Sequence, residues 1–184
     1  MRKLTLHLNG DEVEQSPPAV FEVRRTSTGA PRIVLSVPDG QDNLLHCLAE
    51  LLPPPFYVLY ILHTPRGEGE AGRYQSTKLS LAELSYLLRR YSFFFSSDGR
   101  HDLWIHSPSS GRTLVWDRHN LLFAEGQPLD DVKETLVGLG FAESCVEPLG
   151  PHTHHYRPEF DGDAVSLLNE LDWHRTQLRP EDEQ

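Results

Sequence analysis

The chain has 184 residues, a formal net charge of -10 and only two cysteines, Cys47 and Cys145. That length suits one domain with a substantial core. The charge argues against nucleic acid and anionic membrane surfaces as partners, and two lone cysteines exclude a disulfide framework or a Cys-rich zinc site.

Leu4, Leu6 and Leu8 alternate with Lys3, Thr5 and His7, the period of a strand with one wet face, and Asn9-Gly10-Asp11 supplies turn chemistry. Phe21 to Arg25 and Arg32 to Val37 read as two further strands, so residues 1–40 are expected to form an N-terminal β-meander, a possible small subdomain. Asp42 is placed to cap a helix bearing Leu44, Leu45, Leu48, Leu51 and Leu52, which Pro53-Pro54-Pro55 must end because proline lacks an amide donor. Phe56 to Leu62 is almost continuously apolar and reads as a core strand covered on both faces.

From His63 to Lys78 there is no apolar period, and Gly67, Gly69 and Gly72 lie among charges, so a long mobile loop is expected. Ser80 and Glu83 form a capping box ahead of a helix carrying Leu81, Leu84, Leu87, Leu88 and Tyr91. Phe93, Phe94 and Phe95 cannot all face inward from one regular element, so at least one should be exposed. Leu103 to His106, Thr113 to Asp117 and Leu121 to Ala124 have the spacing of consecutive hairpins, a second meander.

Asp130 is placed to cap a helix with Val132, Leu136 and Leu139 on one face, ended by Gly140 in the left-handed conformation. Phe141 to Glu147 reads as a returning strand, and Asp163 to Trp173 as a last helix with Val165, Leu168, Leu171 and also Trp173 inward. Residues 175–184 are polar and read as a disordered tail. The expected fold is therefore one α+β domain over residues 1–174: two antiparallel meanders contributing to a mainly antiparallel sheet, packed by about four helices.

Four polar groups carry possible chemistry. The loop after the core strand offers Arg66, Glu68, Glu70 and Arg73 as contact residues, but neither the Walker spacing nor the dinucleotide fingerprint is present. His63 and His106 each end an apolar strand and are followed by a hydroxyl residue and proline. Such a pair could act as acid and base on a phosphodiester. Two-histidine phosphoesterases, however, place the hydroxyl residue where Pro65 and Pro108 stand here.

His152 and His154 share one side of an extended segment, with His155 beside them, and imidazoles are the usual ligands of a cysteine-free transition-metal site. His119, with Asp117, has the residue types of a relay, although in a tight turn both are expected to bond backbone. No Gly-x-Ser-x-Gly elbow accompanies them.

With no assembled catalytic motif, the leading expectation is a non-enzymatic interaction protein without a cofactor, meeting a basic partner through Glu68, Glu70, Asp130 and Asp131. In charge, size and lack of a catalytic motif it resembles, in general character, the immunity proteins that neutralise basic toxins. The competing expectation is a hydrolase, metal-assisted through His152, His154 and His155 or metal-free through His63 and His106. The first ten residues lack an apolar secretion signal, and no apolar run approaches the ~20 residues that cross a bilayer. The expected location is a bacterial-type cytoplasm.

Overall fold

The computed structural model describes residues 1–13 and 16–183. In chain order the elements are β1 (Leu4–Leu8), β2 (Asp11–Val13), β3 (Val20–Arg25), β4 (Pro31–Ser36), α1 (Leu44–Ala49), β5 (Tyr57–Leu62) and β6 (Gly72–Ser76). Then follow α2 (Leu81–Arg90), α3 (Ser92–Ser97), β7 (His101–Ser107), β8 (Arg112–Trp116), β9 (Leu121–Glu125) and α4 (Asp130–Gly138). The chain closes with β10 (Ala142–Glu143), β11 (His152–His154), α5 (Asp161–Glu170) and β12 (Trp173–Thr176).

These make the α+β fold expected from the pattern, with mostly antiparallel sheets. A nine-stranded sheet runs β10-β3-β4-β9-β8-β7-β5-β6-β12, and a separate three-stranded sheet runs β11-β1-β2. Among the described residues every strand pairing is antiparallel except that of β10 with β3. The second meander forms as β7, β8 and β9. The first does not form as one unit, because β1 and β2 leave for the small sheet while β3 and β4 join the large one.

The main core covers one face of the large sheet. Phe21, Ile33, Leu35, Val58, Tyr60, Leu103, Ile105, Leu114 and Trp116 pack there against Leu44, Leu48, Leu84, Leu87, Phe94, Val132 and Leu136 from the helices. β5 lies between β7 and β6, which explains its apolar run. The capping box forms as expected: Ser80 Oγ accepts from the Glu83 amide and the Glu83 carboxylate accepts from the Ser80 amide, stabilising the helix start by about 1 kcal/mol. Gly140 takes φ 88°, ending α4. Phe93 is 46% exposed while Phe94 and Phe95 are buried, so the aromatic triplet divides as its helical spacing requires.

Other expectations need correction. Asn43, not Asp42, precedes α1, and Asp130 lies inside the first turn of α4, where its charge suits the helix dipole. Phe141 to Glu147 contributes only the two residues of β10. Val165 faces solvent and Ala164 and Leu167 bury instead, and the last helix stops at Glu170, so Trp173 belongs to β12 and not to the helix.

The loop expected over 63–78 contains β6, and the tail expected from 175 contains the end of β12, which pairs with β6 from Trp173↔Ser76 to Thr176↔Arg73. Both strands are polar because they form the sheet margin: Gly72, Tyr74 and Ser76 turn inward, Arg73 and Gln75 outward. Asp182, further along the same tail, is buried in an ion pair with Arg73. No helix among the described residues is long and apolar enough to cross a membrane.

Candidate functional site

The small sheet docks beside the turn between β8 and β9, and three histidines meet there. His119 projects from the turn, while His152 and His154 lie on one side of β11, two residues apart as strand alternation requires. One ligand nitrogen from each lies within 4.8 Å of the others. The ring centroids of His152 and His154 are 4.9 Å apart, and His119 is 5.3 and 5.1 Å from them. All three are half-buried.

The turn is pinned from several sides. Trp116 Nε1 donates to Asn120 Oδ1 at 3.0 Å, and Asn120 Nδ2 donates to the Val37 carbonyl at 2.8 Å. Asn120 adopts φ 62°, a left-handed conformation that asparagine tolerates well. The Asp117 carboxylate accepts from the Leu121 amide at 2.8 Å, and Asp102 accepts from the Arg118 amide at 2.7 Å. Lys3 is fully buried over the Trp116 ring and donates to the Asp117 carbonyl at 2.9 Å. Burial outweighs the nearby carboxylates and pulls its ammonium pKa down to about 8.

The imidazoles are oriented by their second nitrogens. His119 Nδ1 lies 3.3 Å from the Asp117 carboxylate, and His152 Nδ1 lies 2.9 Å from the Gly150 carbonyl. Donation by Nδ1–H to these oxygens fixes the tautomer that leaves Nε2 as a lone-pair donor, the arrangement typical of metal-ligating histidine. His154 Nδ1 is buried with no hydrogen-bond partner among the described residues. Burial first, then the neighbouring His119 and His152, lowers the His154 pKa to about 4. It is neutral near pH 7, as a metal ligand must be.

Gly99 sets how closely the small sheet approaches. A Cβ there would stand 2.8 Å from the Lys3 carbonyl oxygen and 3.1 Å from His154 Nδ1. Its amide donates to the His155 carbonyl at 2.9 Å, and the His155 amide to the Lys3 carbonyl at 2.8 Å. The flanking Asp98 and Arg100 are fully buried. Arg100 forks onto Asp98 at 2.8 and 3.0 Å and reaches Glu68 and Asp161, both at 3.0 Å, and the Arg157 carbonyl at 2.9 Å. Asp98 also accepts from the Arg157 amide at 2.8 Å. This ionic hub ties the loop after β5, the start of α5 and the segment following β11 into one support.

His155 departs from the expected metal set. Alternation points it away from His154, and its Nε2 meets Thr5 Oγ1 at 2.7 Å. His63 and His106 do not converge. The register Tyr57↔His106 and Leu62↔His101 puts them at opposite ends of the β5–β7 pair, about 20 Å apart by strand rise. His63 is buried against Asp102 at 3.0 Å, and His106 is exposed beside Thr113.

Most of the proposed contact charges are engaged within the chain. Glu68 is buried on Arg100; Arg66 pairs with Asp161, Arg73 with Asp182, Glu70 with Arg175 and Asp131 with Arg112. Asp130 and the tip of Glu70 remain exposed. Sequence reasoning missed Lys3, Asp98, Gly99 and Arg100. The only signal was a charged pair bracketing a glycine, which reads equally well as an ordinary turn. No protein-family model, curated protein or solved structure matches the chain.

Proposed function

We infer that this protein binds a transition metal ion, zinc above all, through His119, His152 and His154, and uses it in a hydrolytic centre. The observation that carries the reading is the convergence of three imidazole nitrogens within 4.8 Å from two separate chain segments. Nitrogens around a tetrahedral zinc at ~2.0–2.1 Å are about 3.3 Å apart, so a closure of about 1.5 Å or less per pair completes the set. An all-imidazole set without thiolates suits zinc, copper or nickel over magnesium or calcium.

Three protein ligands leave the fourth tetrahedral position free, and open sites of this kind activate water, whereas four-ligand sites serve structure. The Asp117 carboxylate behind His119 would hold that imidazole's ring in place. Metal binding is tested by calorimetric titration of tag-free, full-length protein with zinc. Uptake of about one zinc per chain is expected, weakened about 100-fold or more in H119A, H152A and H154A and unchanged in H155A. No uptake, or equal loss in H155A, would refute the assignment.

A further inference from the structure

Resting on the metal reading above, we propose that the neighbouring apolar cavity receives the hydrocarbon body of a small carboxylic acid, or of the ester or amide that releases it, whose polar head meets the metal. The cavity measures about 210 Å³ and lies between the two sheets, walled by Leu4, Leu6, Val20, Val146 and Leu149, with His119 in its lining. Strand register ties it to the metal ligands. Leu4 pairs with His154 and Leu6 with His152 across β1 and β11, so both leucines share the face that bears the two imidazoles.

Directly paired side chains stand about 5 Å apart at Cβ, so the apolar wall begins one side-chain width from the metal position. A ligand spanning the two therefore needs a metal-seeking oxygen at one end and hydrocarbon at the other. A cavity of about 150 Å³ holds benzene, so this one, at about 210 Å³, takes a hydrocarbon body of phenyl size with room to spare, as in benzoate, whose carboxylate then lies outside it toward the metal. The cationic groups near the cavity are already committed: Arg2 pairs with Asp39 at 2.7 Å and Lys3 bonds the Asp117 carbonyl. A carboxylate head is therefore directed to the metal rather than to a lysine or arginine.

The test measures benzoate and toluene binding to the full chain with and without zinc, by ligand-detected NMR and calorimetry. Benzoate should bind the zinc-loaded protein about tenfold or more tightly than the zinc-free protein, while toluene, which lacks the head, should show no zinc dependence. L149W, which fills the half-buried edge of the cavity, should abolish benzoate binding and leave zinc uptake intact, with V146F as a second filling variant. Zinc uptake without benzoate binding would overturn the cavity assignment and leave the metal site standing. Benzoate binding that ignores zinc, or that survives both filling variants, would also overturn it. Failure of zinc uptake itself would remove the metal reading and this inference together.

Discussion

Replacing His101 by phenylalanine should raise stability and remove part of its loss in acid. The imidazole is fully buried at the start of β7, with Phe94, Tyr60 and Phe95 at centroid distances of 4.7, 5.1 and 5.5 Å. Neither ring nitrogen has a hydrogen-bond partner among the described residues. Burial first, then the charges of Lys3, Arg100 and His63, holds its pKa well below the usual 6.5.

In the unfolded chain the ring titrates near its ordinary value, so below about pH 6.5 the unfolded state binds a proton that the folded state refuses. Stability should be unaffected by His101 above that value and fall by up to about 1.4 kcal/mol per pH unit below it. Integrated from about pH 7.5 to about pH 5, the loss is about 2 kcal/mol. His154 and His155 are also held down, chiefly by burial, but they remain in both proteins and cancel in the difference. Urea denaturation of wild type and H101F across this range gives the measurement. H101F should be about 1–2 kcal/mol more stable at neutral pH, because two unpartnered buried nitrogens are gone, and its advantage should widen by about 2 kcal/mol at about pH 5. Parallel pH profiles would refute the reasoning and mean that the folded imidazole is already solvated or partnered.

Two further substitutions probe the support beneath the histidines. Arg100→Met leaves the buried Asp98 and Glu68 carboxylates without their cation, and should cost about 3–5 kcal/mol in urea denaturation; a loss under about 1 kcal/mol would mean that water replaces the guanidinium. Gly99→Ala drives a methyl group against the Lys3 carbonyl and His154. It should weaken zinc binding about tenfold or more while far-ultraviolet circular dichroism stays native, and unchanged zinc affinity would show that the small sheet yields without moving its ligands.

The legible parts of the fold were those where one local pattern sufficed. Alternation marked β1, the apolar run marked β5, and the Ser80–Glu83 box marked the start of α2, because each depends on residues within a few positions. β6 and β12 were hidden because sheet-margin strands carry polar residues outward and find their identity only in each other, about a hundred positions away in sequence. The candidate site divided the same way. Placing His152 and His154 on one side follows from the strand period, whereas the third imidazole comes from the β8–β9 turn through a docking of two sheets that no local window contains. His155 looked like a ligand through adjacency alone, which alternation reverses. Glu68 looked like a surface charge in a glycine-rich loop because its partner, Arg100, lies on the far side of α2 and α3 in sequence.

Because His119 belongs to one sheet and His152 and His154 to the other, a metal ion bound as proposed would couple its binding to folding. The small sheet is held to the large one through polar contacts at its edge: Lys3 to Asp117, Gly99 to His155, and Asp98 to Arg157. A cavity of about 210 Å³ remains between them where a packed core would otherwise add cohesion. A metal ion bound by all three imidazoles adds a link that exists only when the sheets are docked, so it stabilises the native state by its binding free energy. At a zinc concentration about 100 times the dissociation constant this amounts to about 2.7 kcal/mol. For a chain of this length that corresponds to a rise in melting temperature of about 5–11 °C. H119A removes the large-sheet end of the link and H154A the small-sheet end, so either should abolish the zinc-induced shift without exposing the main core. A zinc-induced shift that persists in both variants would mean that the ion does not bridge the two sheets.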